Sequence, residues 1–242
     1  MDKYGKVISV RKYVDVLPNK DIKELYTAGI EWVKASAKNR IPYEIDWLGV
    51  PVIQTPEDLV LMQELFFKVQ PNFVIETGIA HGGGLIFYAS LMELLGKGKV
   101  IGVDVNIREH NRKAIEAHPL FKRVEIIEGS SISADTILKI KSRVPMKSKV
   151  IVCLDSDHTK SHVLKELELY ESIINVGGYF VVFDTISSLL ADCGIAGKKY
   201  ISNSPKEAVS EFLRKNNKFE VDRSFNKLFV SSSPDGFLRR VK

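Results

Sequence analysis

Cysteine is scarce. The 242 residues hold two, Cys153 and Cys193, and neither stands in a CxxC or other zinc-ligand spacing. That argues against a structural zinc site. Cys153 lies inside the apolar run VIVCLD and reads as a buried free thiol of a reducing compartment. Long apolar runs are also missing. None reaches the ~18 residues that a membrane span needs, and residues 1–15 (MDKYGKVISVRKYVD) lack the apolar centre of a signal peptide. The expectation is a cytoplasmic protein with no membrane span. There is no basic block either. The formal net charge is +5, but the 35 lysines and arginines are spread along the chain. This describes a mildly basic solvated surface better than a nucleic-acid partner, and no aromatic–basic platform for bases stands in the sequence. Internal repeats and low-complexity segments are absent.

What is present is ordinary core material, 45% hydrophobic residues against 27% charged. At this length it suits one α/β domain with additions. Residues 21–38 carry Ile22, Leu25, Ile30 and Val33 at near-helical spacing, with Asp21 placed to cap. Residues 39–56 are rich in turn formers and aromatics and read as a loop. Thr55-Pro56-Glu57-Asp58 then opens a helix that runs to about Gln70: the threonine caps, proline fits the first position, and two acids face the positive helix end. After this, strands alternate with helices. The strands are FVIETG (73–78), KVIGVDV (99–105), VEIIEGS (124–130), KVIVCLDSDH (149–158) and GYFVVFDT (178–185). The helices are 83–95, 108–117, 133–142, 160–175 and 205–216. FEVDRS and KLFVSSS are expected to form a closing antiparallel hairpin. The alternation predicts βαβ units and a mainly parallel sheet.

Every group with chemistry to offer sits at the carboxyl end of a strand, where open parallel sheets bind ligands. Glu76-Thr77-Gly78-Ile79-Ala80-His81-Gly82-Gly83-Gly84 is strand, acid, glycine turn and helix in that order, though not a GxGxxG. It predicts close approach of a ligand to backbone at a helix N-terminus. Asp104 ends the next strand beside Val105, placed to accept hydrogen bonds from both hydroxyls of a ribose. Glu128-Gly129-Ser130-Ser131 follows the third strand, beside an expected adenine, and is equally able to cap the helix after it. Asp155-Ser156-Asp157-His158 leaves the fourth strand and Asp184 the fifth. Asp155, Asp184 and Asp157 are candidate ligands for Mg²⁺, and His158 is the candidate general base. His162 lies one turn beyond His158, but no third soft ligand stands near for zinc. His110 and His118 read as exposed, and His81 as shaping the turn. Trp32, Tyr43 and Trp47 would line either a substrate or an interface between copies in a homo-oligomer.

The stretch DWLGVPVIQTPEDLVLMQELFFKVQPNFVIETGIAHGGG, with LDSDH, VVFDT, PKEAVSEFL and the ending SPDGFLRRVK, resembles the cephalosporin hydroxylase family, also called the rhamnosyl O-methyltransferase family. The likeness covers residues 46–242 and implies a Rossmann-like class I methyltransferase. Its fold would be a mainly parallel seven-stranded sheet with a C-terminal antiparallel hairpin, preceded by an N-terminal helical extension (1–45). It implies S-adenosylmethionine (SAM) as cofactor, bound by Glu76, Gly78, Ala80, His81, Gly82, Gly83, Asp104, Val105, Gly129, Ser130, Ser131 and Asp155. It further implies Mg²⁺ on Asp155 and Asp184, His158 as base, and a small-molecule or glycan acceptor, methylated on a sugar hydroxyl of a glycolipid, surface polysaccharide or secondary metabolite. Two positions depart from the pattern. Phe183-Asp184 stands where relatives often carry Glu-Asp, and Gly84 where serine is common. The lost acid leaves room for a non-catalytic SAM-binding subunit. The family label itself raises an oxygenase, which would need two histidines and a carboxylate on iron.

Overall fold

The computed structural model describes residues 17–242. Helix α1 (Asn19–Lys38) leads into a 3₁₀ turn (Ile41–Glu44) and a small antiparallel hairpin of β1 (Asp46–Trp47) and β2 (Val50–Pro51). The segment expected to be loop therefore carries structure of its own. Helix α2 (Pro56–Val69) starts as its sequence predicts. The Thr55 side chain accepts from the Asp58 N–H, and Pro56 occupies the first turn. Then come β3 (Phe73–Thr77), α3 (Gly83–Leu95), β4 (Lys99–Asp104), α4 (Glu109–Ala117), β5 (Val124–Glu128), α5 (Ala134–Arg143), β6 (Val150–Leu154), α6 (Lys160–Tyr170), β7 (Tyr179–Val182), α7 (Ser187–Asp192), α8 (Pro205–Lys215), β8 (Phe219–Val221) and β9 (Phe237–Arg240).

Seven strands form one sheet in the order β5-β4-β3-β6-β7-β9-β8. The first five run parallel, and β9 pairs antiparallel with both β7 and β8. The closing pair is thus β8 with Phe237–Arg240, not with KLFVSSS as expected from sequence. Residues 227–236 form turns and bends instead. Their serines are drawn off by a buried acid: Asp58 accepts from Ser231 Oγ at 2.6 Å, and from Ser232 N at 2.9 Å and Oγ at 2.6 Å. Side-chain bonds to backbone and acid outcompete the ladder there.

Both faces of the sheet are covered, so its central strands read as continuous apolar runs rather than alternating ones. On β6, Ile151 and Cys153 join the cluster under α2 and α3, while Val150, Val152 and Leu154 face the cluster formed with α5, α6 and α8. Fully burying one such valine or isoleucine contributes roughly 1.5–3 kcal/mol, so the strand register is firmly set. Strand order reverses between β3 and β6. This opens a crevice at their carboxyl ends, where the candidate residues lie. Among the described residues no helix is long and apolar enough to cross a membrane.

Candidate active site

The crevice holds a cavity of about 580 Å³, within the usual range for small-molecule sites. Its floor is the glycine turn after β3. Gly78 has φ +80°, and a Cβ there would stand 2.2 Å from the Asp155 carbonyl oxygen. Only glycine satisfies both the left-handed backbone and this contact with the β6 exit. The turn is pinned by Gly78 N–H donating to Val103 O at 2.8 Å and by Gly82 N–H donating to Ile79 O at 2.6 Å. Gly83 serves packing: its Cβ would meet Pro51 O at 2.2 Å, so it lets α3 approach β2.

Asp104 points at the turn. Its Oδ2 accepts from the Ile79 N–H at 3.0 Å and its Oδ1 from the Asn106 N–H at 3.0 Å. Each oxygen keeps a further lone pair, and the residue lines the cavity with Val105, Ala80, Ser130 and Ser131. Ser131 is held from behind, its carbonyl accepting from Tyr170 Oη at 3.0 Å and its Oγ lying 3.1 Å from His162 Nε2. Glu76 does not reach the cavity lining. It lies 3% exposed beneath α3, and a Cβ on Gly84 would stand 2.4 Å from its Oε1. This accounts for glycine rather than a larger residue at position 84. Burial pushes the Glu76 carboxyl up to about 8, the charge of Asp104 adds to this, and the Tyr88 hydroxyl opposes it. Its Oε2 has no hydrogen-bond partner.

At the other end of the cavity, Asp155, His158 and Asp184 offer ligand atoms that all lie within 4.8 Å of one another. His158 Nε2 is 3.3 Å from Asp184 Oδ2. Asp184 has φ +55°, a left-handed conformation that aspartate tolerates better than most residues. Its carbonyl holds it there by accepting from Ser187 N–H at 3.0 Å and from Ser187 Oγ. Desolvation, reinforced by the charges of Asp184 and Glu76, holds the Asp155 carboxyl well above the usual carboxylate range, against a hydrogen bond from Gln54. Two oxygen acids pressed together beside an imidazole suit a hard divalent cation, whose charge would relieve their repulsion. Asp157 lines the cavity but stands outside this cluster, and its Oδ1 accepts from the Thr159 N–H at 2.8 Å. Phe183 is buried in the core at 1% exposure, so residue 183 faces away from the cluster. A second cavity of about 240 Å³ adjoins the first. It shares Tyr43, Ile53, Asp155 and Asp184 with it and is walled by Arg40, Pro42, Leu190 and Ile195.

Residues 39–241 match the family described as Rhamnosyl O-methyltransferase/CmcI. The chain belongs to that family. Among the relatives of this rhamnosyl O-methyltransferase/CmcI member is the Rhamnosyl O-methyltransferase of Mycobacterium tuberculosis (strain ATCC 25618 / H37Rv). It is 29% identical over 225 residues, covering 89% of this chain and 82% of that protein. The fold is shared with a solved Mg–SAM form of CmcI at TM-score 0.58 and 18% identity, covering 83% of this chain and 78% of that one. It is also shared with an O-methyltransferase from Bacillus cereus in complex with SAH, at TM-score 0.55 and 18% identity, covering 95% and 96%.

For this family member, the cavity gathers Gly78, Ala80, Asp104, Val105, Ser130, Ser131, Asp155, Asp157, His158 and Asp184 from the sequence-predicted set. Glu76, His81, Gly82, Gly83 and Gly129 lie outside its lining. Sequence reasoning passed over Gln54 and Ile53, which come from a segment read as plain loop. It also set His162 aside, although that side chain lines the cavity. His118, expected to be exposed, is half-buried and caps a 3₁₀ turn by accepting from Leu120 N–H at 3.1 Å. Trp47 is a packing residue, edge-on to Phe87 and bonded to Ser90 Oγ at 3.1 Å. The cluster contains one histidine. The His162 Nε2 faces Ser131 and Glu166 instead, so the two-histidine set of an oxygenase is not assembled here among the described residues.

Proposed function

We propose that the chain is a SAM-dependent O-methyltransferase that methylates a hydroxyl of a sugar, with rhamnosyl glycolipids or polysaccharides as the acceptor class. One observation carries this reading. An acid suited to ribose, Asp104, and a base-and-acid cluster, Asp155, His158 and Asp184, open onto one cavity. The names of the curated relatives point to the same chemistry and to the sugar. SAM supplies a methyl group on a sulfonium leaving group. Asp104 would hold the ribose, Ser130 and Ser131 would border the adenine, and Gly78 and Ala80 would bring backbone close to the donor. The acceptor would enter through the adjoining 240 Å³ cavity, between the α1 end of the N-terminal extension and the segment after β7.

In-line displacement needs the acceptor oxygen positioned and deprotonated. His158 would take the proton, and Asp184, 3.3 Å from its Nε2, stabilises the imidazolium that results. Asp155 and Asp184 would hold Mg²⁺, which when bound supplies Lewis acidity that lowers the acceptor hydroxyl's pKa. Asp157 would act from the rim of the site. The reading places the reaction in the cytoplasm, without a nucleic-acid partner. Calorimetric titration of SAM into the wild type and Asp104→Ala tests it, followed by methyl transfer to rhamnosylated acceptors. Binding that Asp104→Ala weakens ~10-fold or more, the worth of a charge-assisted hydrogen bond, supports the reading. Equal binding by both proteins, or none by either, overturns the cofactor site.

A further inference from the structure

We infer that Gln54 is a ligand of the cation held by Asp155 and Asp184, supplying its side-chain amide oxygen. The inference rests on the metal reading above and assigns a residue that reading does not use.

Hard cations such as Mg²⁺ prefer six oxygens, and the cluster provides only two carboxylates and an imidazole. Position 183, next to Asp184, is spent on the core. Among the described residues, Gln54 is a polar side chain that bonds directly to the cluster. It comes from the segment between β2 and α2, and its Nε2 donates to Asp155 Oδ2 at 3.1 Å. Its other atom, Oε1, is buried and has no hydrogen-bond partner. A buried amide oxygen without a partner is costly, which leaves this side chain half-satisfied.

A half-turn of the amide about Cγ–Cδ exchanges the two atoms without moving the chain. It places Oε1 where Nε2 stood, beside Asp155 Oδ2. Two oxygens side by side in this way suit a shared hard cation. The half-turn gives up one hydrogen bond, Nε2 to Asp155, which the cation replaces. On the inner side it leaves Nε2 where an oxygen already lacked a partner, so no hydrogen bond is lost there. A neutral ligand also suits the electrostatics. Asp155 and Asp184 already stand together in the cluster, and a third carboxylate would add to their mutual repulsion.

The alternative is that Gln54 only donates to Asp155. The two roles differ in sign. A donor stabilises the metal-free carboxylate and competes with the cation, so removing it leaves metal binding unchanged or tighter. A ligand contributes to the complex, so removing it weakens binding. The experiment is calorimetric titration of Mg²⁺ and of Mn²⁺ into the full chain as wild type, Gln54→Met and Gln54→Glu, with SAM binding by each variant as the check on folding. The expected result is binding at least ~10-fold weaker in Gln54→Met, the size seen even for partners of ligands, and tighter in Gln54→Glu. Unchanged or tighter binding in Gln54→Met, with SAM binding intact, overturns the assignment and leaves the metal site standing. If Gln54→Met does not fold, a Gln54→Glu protein that binds no tighter than wild type overturns it. If the wild type binds SAM but neither ion, the metal reading fails and this inference with it.

Discussion

Replacing Glu76 with glutamine should stabilise the cofactor-free protein at neutral and alkaline pH, and the gain should vanish in acid. Glu76 is buried under α3 with one oxygen unpartnered, and burial pushes its carboxyl up to about 8 from an ordinary 4.5. A carboxyl whose pKa is raised on folding binds its proton more tightly in the folded state. Stability is therefore intact below the unfolded value and falls as pH climbs from there to the folded one. Between about pH 5 and pH 8 the unfolded chain releases this proton while much of the folded chain retains it, which costs on the order of 3 kcal/mol. For a domain of this size 1 kcal/mol moves Tm by ~2–4 °C, so the shift is ~6–12 °C. Glutamine has the same shape and can still accept from Tyr88, but does not titrate. Thermal unfolding followed by circular dichroism at several pH values gives the difference in Tm between Glu76→Gln and wild type. That difference should widen by roughly 6–12 °C from pH 5 to pH 8. A difference that stays flat across the range would refute the reasoning, since every other titrating group is common to both proteins.

Three further outcomes are expected. Gly78→Ala should cost about 3 kcal/mol or more in denaturant unfolding and abolish SAM binding, because its Cβ would stand 2.2 Å from Asp155 O at φ +80°. Intact stability would mean that the turn relaxes freely. His158→Gln should lower kcat by ~10²–10⁴ while SAM affinity, read by calorimetry, is unchanged. A fall in SAM affinity alone would make the histidine a cofactor residue instead. Glu166→Gln should bring the His162 pKa, measured by NMR titration, back down towards its ordinary value. The hydrogen bond that the His162 ring donates to the Glu166 carboxylate is what chiefly raises it, and that support is present in acid and lost as pH rises through the folded pKa. An unmoved His162 titration would assign the shift to Asp157.

Much of this architecture was legible in the sequence because it depends on local signals. The Thr55-Pro56 start, the glycine turn and the unbroken apolar strands each carry their cause within a few residues. KLFVSSS was misread because its apolar and β-branched residues suit a strand equally well. What decides against it is Asp58, 174 residues away in sequence from Ser232, and no local pattern announces that bond. Gln54 was missed for the same kind of reason. Its importance arises from a contact with Asp155, 101 residues further on, while its own neighbours Ile53 and Thr55 describe only a loop ending at a helix cap. The cluster itself was readable because parallel topology brings strand ends together whatever their distance in sequence, whereas the placement of Asp157 outside it depends on a turn that bonds to Thr159 N–H.

The smaller chamber beside Asp155 and Asp184 is about 240 Å³, below the usual range for a drug-sized ligand. An acceptor whose sugar ring sits there would leave the rest of itself outside. Discrimination would then fall on the hydroxyl pattern of that one ring. Whatever the ring is attached to, whether lipid, polyketide or polymer, would be read only at the mouth, by the exposed Tyr43 and its neighbours. Changing the residues around that mouth would then alter which glycoconjugate is accepted, with the transfer chemistry inside left as it was.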